Sequence, residues 1–209
     1  MNITVLRPRF MKYLEPVAEI CIRVGLTPNQ ISVLSMVFGF ACAASFAGRQ
    51  FFLGSVLLLL SAVLDLVDGS VARKKNCQTK FGAVFDWIVD KYVDSFALLG
   101  IGLSGIPILT HLFSLPPIAD AGVVAVAIIG SMINTFIKPV VYAEIGFKER
   151  IGGKIEDPLE GIGFFGRPET ILFLILGGIL GYIWIAVLVV AICTHLSALQ
   201  RVLYLYRSL

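Results

Sequence analysis

The sequence predicts an all-α integral membrane protein. Six transmembrane helices follow an N-terminal amphipathic helix at the membrane interface, in one domain covering residues 1–209. Three observations predict this class. Apolar residues make up 57% of the chain and charged residues 15%, against about half and about a quarter in soluble domains, and mean hydropathy is +0.89. Apolar stretches close to the ~20 residues a helix needs to cross a bilayer core recur along the chain. Lysine and arginine are confined almost entirely to one set of loops and ends. A chain of 209 residues leaves no room for a separate soluble module, and its net charge of +3 is too mild to point to nucleic acid.

The first element, residues 8–24, places Leu14, Val17, Ala18, Cys21 and Ile22 on one helical face and Lys12, Glu15, Glu19 and Arg23 on the rest. It is too short and too charged to span, so it is expected to lie on the membrane. The N-terminus shows no apolar core followed by a small-residue cleavage site, the pattern of a signal peptide. Spans are expected at Ile31–Ala47, Phe51–Ala72, Gly82–Ile106 and Ala119–Tyr142. The apolar tail from Pro168 to Tyr206 is too long for one crossing, and Gly177, Gly178 and Gly181 mark a turn within it. It divides into spans at 168–184 and 185–206. Of the seventeen Lys and Arg, only Arg49 and Lys91 fall outside the N-terminus, the 73–80 loop, the 138–167 region and the C-terminal end. An even number of spans with basic ends on one side puts both termini in the cytoplasm, in the cytoplasmic membrane. The four cysteines form no CxxC pair and read as inert thiols, three of them in apolar or amphipathic helices.

The stretch DLVDGSVARKKNCQTKFGAVFDWIVDKYVD, residues 65–94, carries five of the fourteen acidic residues between two apolar runs. Asp65 and Asp68 close the second span, and Asp86 and Asp90 open the third on the same side. Positions i and i+3, or i and i+4, lie about 60° or 40° apart on a helix, so each helix offers a pair of carboxylates on one face. The short loop is expected to make the two helices neighbours with the pairs facing. Four such anions repel unless a cation lies between them. The absence of His and Cys from the set favours a hard divalent ion, Mg²⁺, Mn²⁺ or Ca²⁺, over zinc. Two ions sharing the four carboxylates would suit phosphoryl chemistry. Gly69 and Gly82 suit close approach of a ligand or backbone, Ala72 keeps the face small, and Arg73 suits a phosphate oxygen.

Asp65-xx-Asp68-Gly69-xx-Ala72-Arg73-(x)8-Gly82-xxx-Asp86-xxx-Asp90 resembles the signature of the CDP-alcohol phosphotransferase (CDP-alcohol phosphatidyltransferase) family at every fixed position. The helical layout is similar as well, and TPNQIS, Thr27 to Ser32, looks like the segment that precedes the first span in that family. The resemblance implies displacement of CMP from a CDP-linked lipid, CDP-diacylglycerol or CDP-archaeol, by the hydroxyl of a polar alcohol. It implies that Asp65, Asp68, Asp86 and Asp90 hold two Mg²⁺ or Mn²⁺ ions, with Asp90 also the general base. Asn29, Gly69, Ala72, Arg73 and Gly82 would meet the cytidine diphosphate. A homodimer is implied too.

Lys138, Arg167 and Arg201 are expected on the cytoplasmic side, where they could converge on a phosphorylated acceptor, and they are similar to the basic set of inositol-phosphate users. Inositol phosphate is therefore the expected acceptor, with glycerol 3-phosphate and serine as alternatives. Asp94 lies one turn beyond the signature and is expected to pair with a base such as Lys91. The loop from Tyr142 to Glu169 reads as an unstructured flap over the site, with Glu169 orienting Arg167 or meeting acceptor hydroxyls. His111 and His195 carry no assigned role. A cation channel or transporter is the alternative class; it leaves Gly69, Ala72, Arg73 and Gly82 unexplained.

Overall fold

The computed structural model describes residues 7–146, 148–150, 154–156, 159 and 161–208. Seven helices account for most of them: α1 (Arg7–Arg23), α2 (Pro28–Ala47), α3 (Phe51–Lys74), α4 (Lys80–Leu103), α5 (Ile118–Ile145), α6 (Arg167–Leu180) and α7 (Ile183–Ser208). Between α5 and α6 lies a short antiparallel ribbon, β1 (Lys148–Arg150) with β2 (Lys154–Glu156), in which Glu149 faces Ile155. The loop expected to lack structure thus contains paired strands. Four helices, α2, α3, α5 and α7, are long and apolar enough to cross a membrane. Helix α6 has 14 residues, about 21 Å at 1.5 Å per residue, and α4 carries the charges of Asp86, Asp90, Lys91 and Asp94.

The helix ends follow local chemistry. Thr27 caps α2: its hydroxyl accepts from the Gln30 N–H at 3.3 Å, and the Gln30 side chain accepts from the Thr27 N–H at 2.9 Å. This reciprocal box, with Pro28 at the first helical position, accounts for the TPNQ run. Thr79 caps α4 by accepting from the Gly82 N–H at 2.9 Å. The break between α6 and α7 falls at Gly181, which adopts φ +79, a left-handed conformation that glycine enters without steric cost. The division expected at 184–185 therefore lies a few residues too late.

Helix α2 is the wedge of the bundle. It packs along both α3 and α4, whereas direct contact between α3 and α4 is slight. The short loop thus makes α3 and α4 neighbours near the ends it joins, where Asp65, Asp68 and Asp86 meet, and α2 lies between them elsewhere. Small residues permit the wedge. Ser35 and Ser61 each donate a hydroxyl to the other's backbone carbonyl at 2.8 Å, joining α2 to α3. A Cβ on Gly100 of α4 would run into the Ala43 backbone carbonyl of α2. Helix α1 lays Ala18 and Cys21 against Ile31, Val67 and Val71, with Leu14, Val17 and Ile22 alongside. Lys74 meets Glu15 at 3.2 Å and Glu19 at 3.6 Å across that contact. Exposed pairs of this kind are worth about 0–1 kcal/mol, so the apolar face decides where α1 docks.

Arg49, one of the two cations outside the basic regions, donates through Nε to the Ser104 carbonyl at 2.9 Å. It therefore caps the C-terminus of α4, where carbonyls carry partial negative charge. At the same end, Asp120 accepts from the Ile108 N–H, the Thr110 N–H and the Thr110 hydroxyl. All four cysteines are free; Cys21 and Cys42 are buried, Cys193 partly so, and Cys77 exposed.

Candidate active site

The last turns of α3 and the first turns of α4 bring Asp65, Asp68 and Asp86 together, with one carboxylate oxygen of each lying within 4.8 Å of the others. Three oxygen donors at this spacing fit a hard divalent cation. Asp68 is fixed from α2, because the Ser32 hydroxyl lies 2.6 Å from its Oδ2. Ser32 closes the TPNQIS segment, so the cap that starts α2 also sets the register of a serine on Asp68.

Asp90 reaches this group through an arginine. Arg167 starts α6 and turns its guanidinium among the acids. Its Nη1 lies 2.8 Å from Asp65 Oδ2, its Nη2 2.9 Å from Asp90 Oδ1, and its Nε 3.2 Å from Asp94 Oδ1. The four signature aspartates thus form a three-acid cluster plus a fourth acid joined to it by one cation. Asp94 is almost wholly buried and meets Lys91 Nζ at 2.9 Å, as its spacing suggested.

The small residues lie where the signature puts them. A Cβ on Gly69 would meet Arg73 Nη1 at 3.3 Å and no other neighbour within 4 Å among the described residues, so the surface there is open to a ligand. At Gly82 the neighbours are Thr79 Oγ1 at 3.0 Å and Asn29 Oδ1 at 3.4 Å. Asn29 is therefore beside the signature, and the first turns of α2 and α4 share this corner. Ala72 is half-buried and Arg73 exposed.

The expected basic set divides. Arg167 is at the centre of the acids. Lys138 lies one turn along α5 from Thr135, the residue that accepts from Lys91 at 2.9 Å. Arg201 is buried in α7 and donates to the backbone carbonyls of Asn134 and Ile162, the latter at 3.1 Å. Those bonds, with Asn134 Nδ2 to the Phe165 carbonyl at 2.7 Å and Phe165 N–H to Ser197 Oγ at 3.4 Å, fasten residues 162–165 to α5 and α7. The end of the expected flap is therefore anchored, while residues 147, 151–153, 157, 158 and 160 lie outside the described residues. Glu169 accepts from the Gly166 N–H at 2.8 Å, a helix cap that holds the backbone beneath Arg167. The two histidines lie elsewhere: the His111 ring lies against Trp184, tilted by 37° with centroids 4.6 Å apart, and His195 Nε2 is 3.1 Å from the Val126 carbonyl. Sequence reasoning missed Ser32, whose only signal was its place at the end of TPNQIS, and it assigned Arg167 to the acceptor without its pairing to Asp65, Asp90 and Asp94.

Carboxylates from two helices, an arginine between them and open backbone at Gly69, all at the end of an apolar bundle, define a membrane enzyme for phosphate-ester chemistry. Residues 25–197 match the family model for CDP-alcohol phosphatidyltransferase, and the chain belongs to that family. It is a transferase of phospholipid synthesis, which removes the ion-path alternative. The archaetidylinositol phosphate synthase of Pyrococcus horikoshii is 25% identical over 197 residues, covering 94% of this chain and 93% of the relative. That of Methanothermobacter thermautotrophicus is 26% identical over 210 residues, covering 97% and 93%. The crystal structure of Mycobacterium tuberculosis phosphatidylinositol phosphate synthase with manganese and citrate shares the fold. Its TM-score is 0.73 at 21% identity, covering 92% of this chain and 88% of the other. The same enzyme with CDP-diacylglycerol bound gives a TM-score of 0.71 at 22% identity, covering 93% and 94%.

Proposed function

We propose that this protein transfers the phospholipid group of a CDP-linked lipid to inositol phosphate and releases CMP. The observation that carries the reading is Arg167, held 2.9 Å from the base Asp90 and 2.8 Å from Asp65. A cation in that place brings the phosphate of a phosphorylated alcohol next to the carboxylate that takes its proton. Two full-length relatives named archaetidylinositol phosphate synthase support the acceptor. The CDP-diacylglycerol bound to the mycobacterial enzyme supports a CDP-lipid donor, whose lipid is diacylglycerol or archaeol.

Asp65, Asp68 and Asp86, with Asp90, would hold Mg²⁺ or Mn²⁺, two ions in our reading, and the manganese in the mycobacterial structure supports that choice. When bound, such ions neutralise the diphosphate and stabilise the departing CMP. This chain's residues do the rest. Gly69, Ala72 and Gly82 let the cytidine diphosphate lie close to the backbone, with Asn29 and Arg73 meeting it from α2 and α3. Asp90 accepts the hydroxyl proton as the acceptor oxygen bonds to the lipid-bearing phosphorus and the bridging bond to CMP breaks. A guanidinium has five N–H donors. Two reach carboxylate oxygens, those of Asp65 and Asp94, Nη2 lies 2.9 Å from Asp90 Oδ1, and the remaining N–H groups would face the acceptor phosphate, with Lys138 and Arg201 completing the basic set.

In this reading α4 and α6 cross with the four apolar helices to give six spans in one domain, and α1 lies at the interface. Both termini and the site face the cytoplasm. The protein is a homodimer; small residues in the spans are compatible with close helix packing. The test is CMP release from a radiolabelled CDP-lipid with Mn²⁺ or Mg²⁺ and either inositol phosphate, glycerol 3-phosphate or serine. Release should be fastest with inositol phosphate. Faster release with either of the others would overturn the acceptor.

A further inference from the structure

We propose that Asp94 is a positioning residue that aims Arg167 at the acceptor site, an inference that rests on the role given to Arg167 above. The two oxygens of Asp94 are divided between two cations. Oδ1 lies 3.2 Å from Arg167 Nε, and Oδ2 accepts from Lys91 Nζ at 2.9 Å. Both oxygens are engaged, so Asp94 is no fifth ligand of the aspartate cluster. Lys91 is itself fixed, because it also donates to Thr135 Oγ1 at 2.9 Å, and Thr135 donates to the Ser131 carbonyl at 3.2 Å. A continuous line of bonds thus runs from α5 through α4 to the first residue of α6.

The geometry explains why an acid is needed one turn below Asp90. A guanidinium is a rigid plane, so its direction is set once two of its nitrogens are held. Asp94 holds Nε from the buried side. The Nη1 and Nη2 edge is then turned toward Asp65 and Asp90, where the acceptor reacts. With Nε released, the plane can rotate about its long side chain. The pairing with Lys91 matters as well. Lys91 neutralises Asp94, so Asp94 orients Arg167 without adding net negative charge to the group that Arg167 forms with Asp65 and Asp90. Asp94 is only 2% exposed, so water does not compete for these bonds.

The test compares two variants of the full chain in which no unpaired lysine remains. Asp94→Leu with Lys91→Met replaces the ion pair by apolar groups of similar volume, a change buried pairs often tolerate. It removes the acceptor for Nε. Asp94→Asn with Lys91→Met keeps an oxygen that can accept from Nε. CMP release is measured with acceptor varied at saturating donor, and with donor varied at saturating acceptor. The acceptor is whichever alcohol the wild-type protein uses fastest, so an error in naming inositol phosphate leaves the comparison intact. The leucine pair should raise the acceptor KM about tenfold, the loss of one charge-assisted hydrogen bond, with the donor KM unchanged. The asparagine pair should restore an acceptor KM close to wild type. In an Arg167→Ala background the leucine pair should add nothing further. Equal rises in both KM values, no rescue by asparagine, or additive effects with Arg167→Ala would each overturn the proposal. Loss of the fold in the leucine pair would overturn it too, because Asp94 would then be holding the bundle together and not the arginine.

Discussion

Replacing Ser32 by alanine should weaken metal binding without touching any acidic residue. The Ser32 hydroxyl lies 2.6 Å from Asp68 Oδ2 and 3.1 Å from the Pro28 carbonyl. It has one hydrogen, and the shorter contact to a charged acceptor takes it. Both residues are 5% exposed, so water cannot replace the bond. A hydrogen bond to a charged group is worth about 1.5–3 kcal/mol, or roughly 10- to 100-fold in an equilibrium constant at about 1.4 kcal/mol per decade. Loss of a partner that orients a metal ligand has an effect of the same order. Asp68 would be free to turn out of register with Asp65 and Asp86, whose oxygens lie within 4.8 Å of its own. Titration of Ser32→Ala with Mn²⁺, with free ion followed by electron paramagnetic resonance, should give an affinity lowered by roughly 10- to 100-fold. The concentration of Mn²⁺ that half-saturates CMP release should rise in parallel. An unchanged Mn²⁺ affinity in a folded variant would refute the reasoning, since Asp68 would then need no support from α2.

Asp90→Asn, measured at saturating Mn²⁺ and donor, should lower kcat by about 10²- to 10⁴-fold, the usual worth of a positioned base; wild-type turnover would remove Asp90 from that role. Arg167→Ala should raise the acceptor KM by about tenfold or more and leave the donor KM unchanged, as read by CMP release with each substrate varied in turn. Gly100→Ala forces a methyl group against the Ala43 backbone carbonyl, and overpacking of this kind costs about 1–3 kcal/mol. A lower midpoint in thermal unfolding of the detergent-solubilised protein is the expected result, and an unchanged midpoint would show that α2 and α4 can separate without cost.

What was legible in the sequence was whatever depends on short spacing. The i, i+3 and i, i+4 steps among Asp65, Asp68, Asp86 and Asp90 put acids on single helix faces, and Lys91 to Asp94 is another such step. Thr27 and Gln30 announce the start of α2 in the same local way. The three expected basic residues were legible as a group but not in their separate uses. Arg201 donates to two backbone carbonyls because it faces the segment entering α6, and no pattern around residue 201 reports that segment's path. The wedge of α2 between α3 and α4 was also hidden, since loop length limits where two helix ends lie and says nothing of what fills the space between them.

Arg167 shows how far electrostatics alone could have gone. A desolvated group of carboxylates requires a cation, and a hard metal ion was one answer to that requirement. The structure supplies another from within the chain, since Arg167 meets Asp65 from 102 positions away. The two answers overlap in one acid: oxygens of Asp65, Asp68 and Asp86 lie within 4.8 Å of one another, while Arg167 meets Asp65, Asp90 and Asp94. Asp65 belongs to both groups. In the proposed reading it is therefore the residue through which metal binding and the direction of Arg167 would be coupled.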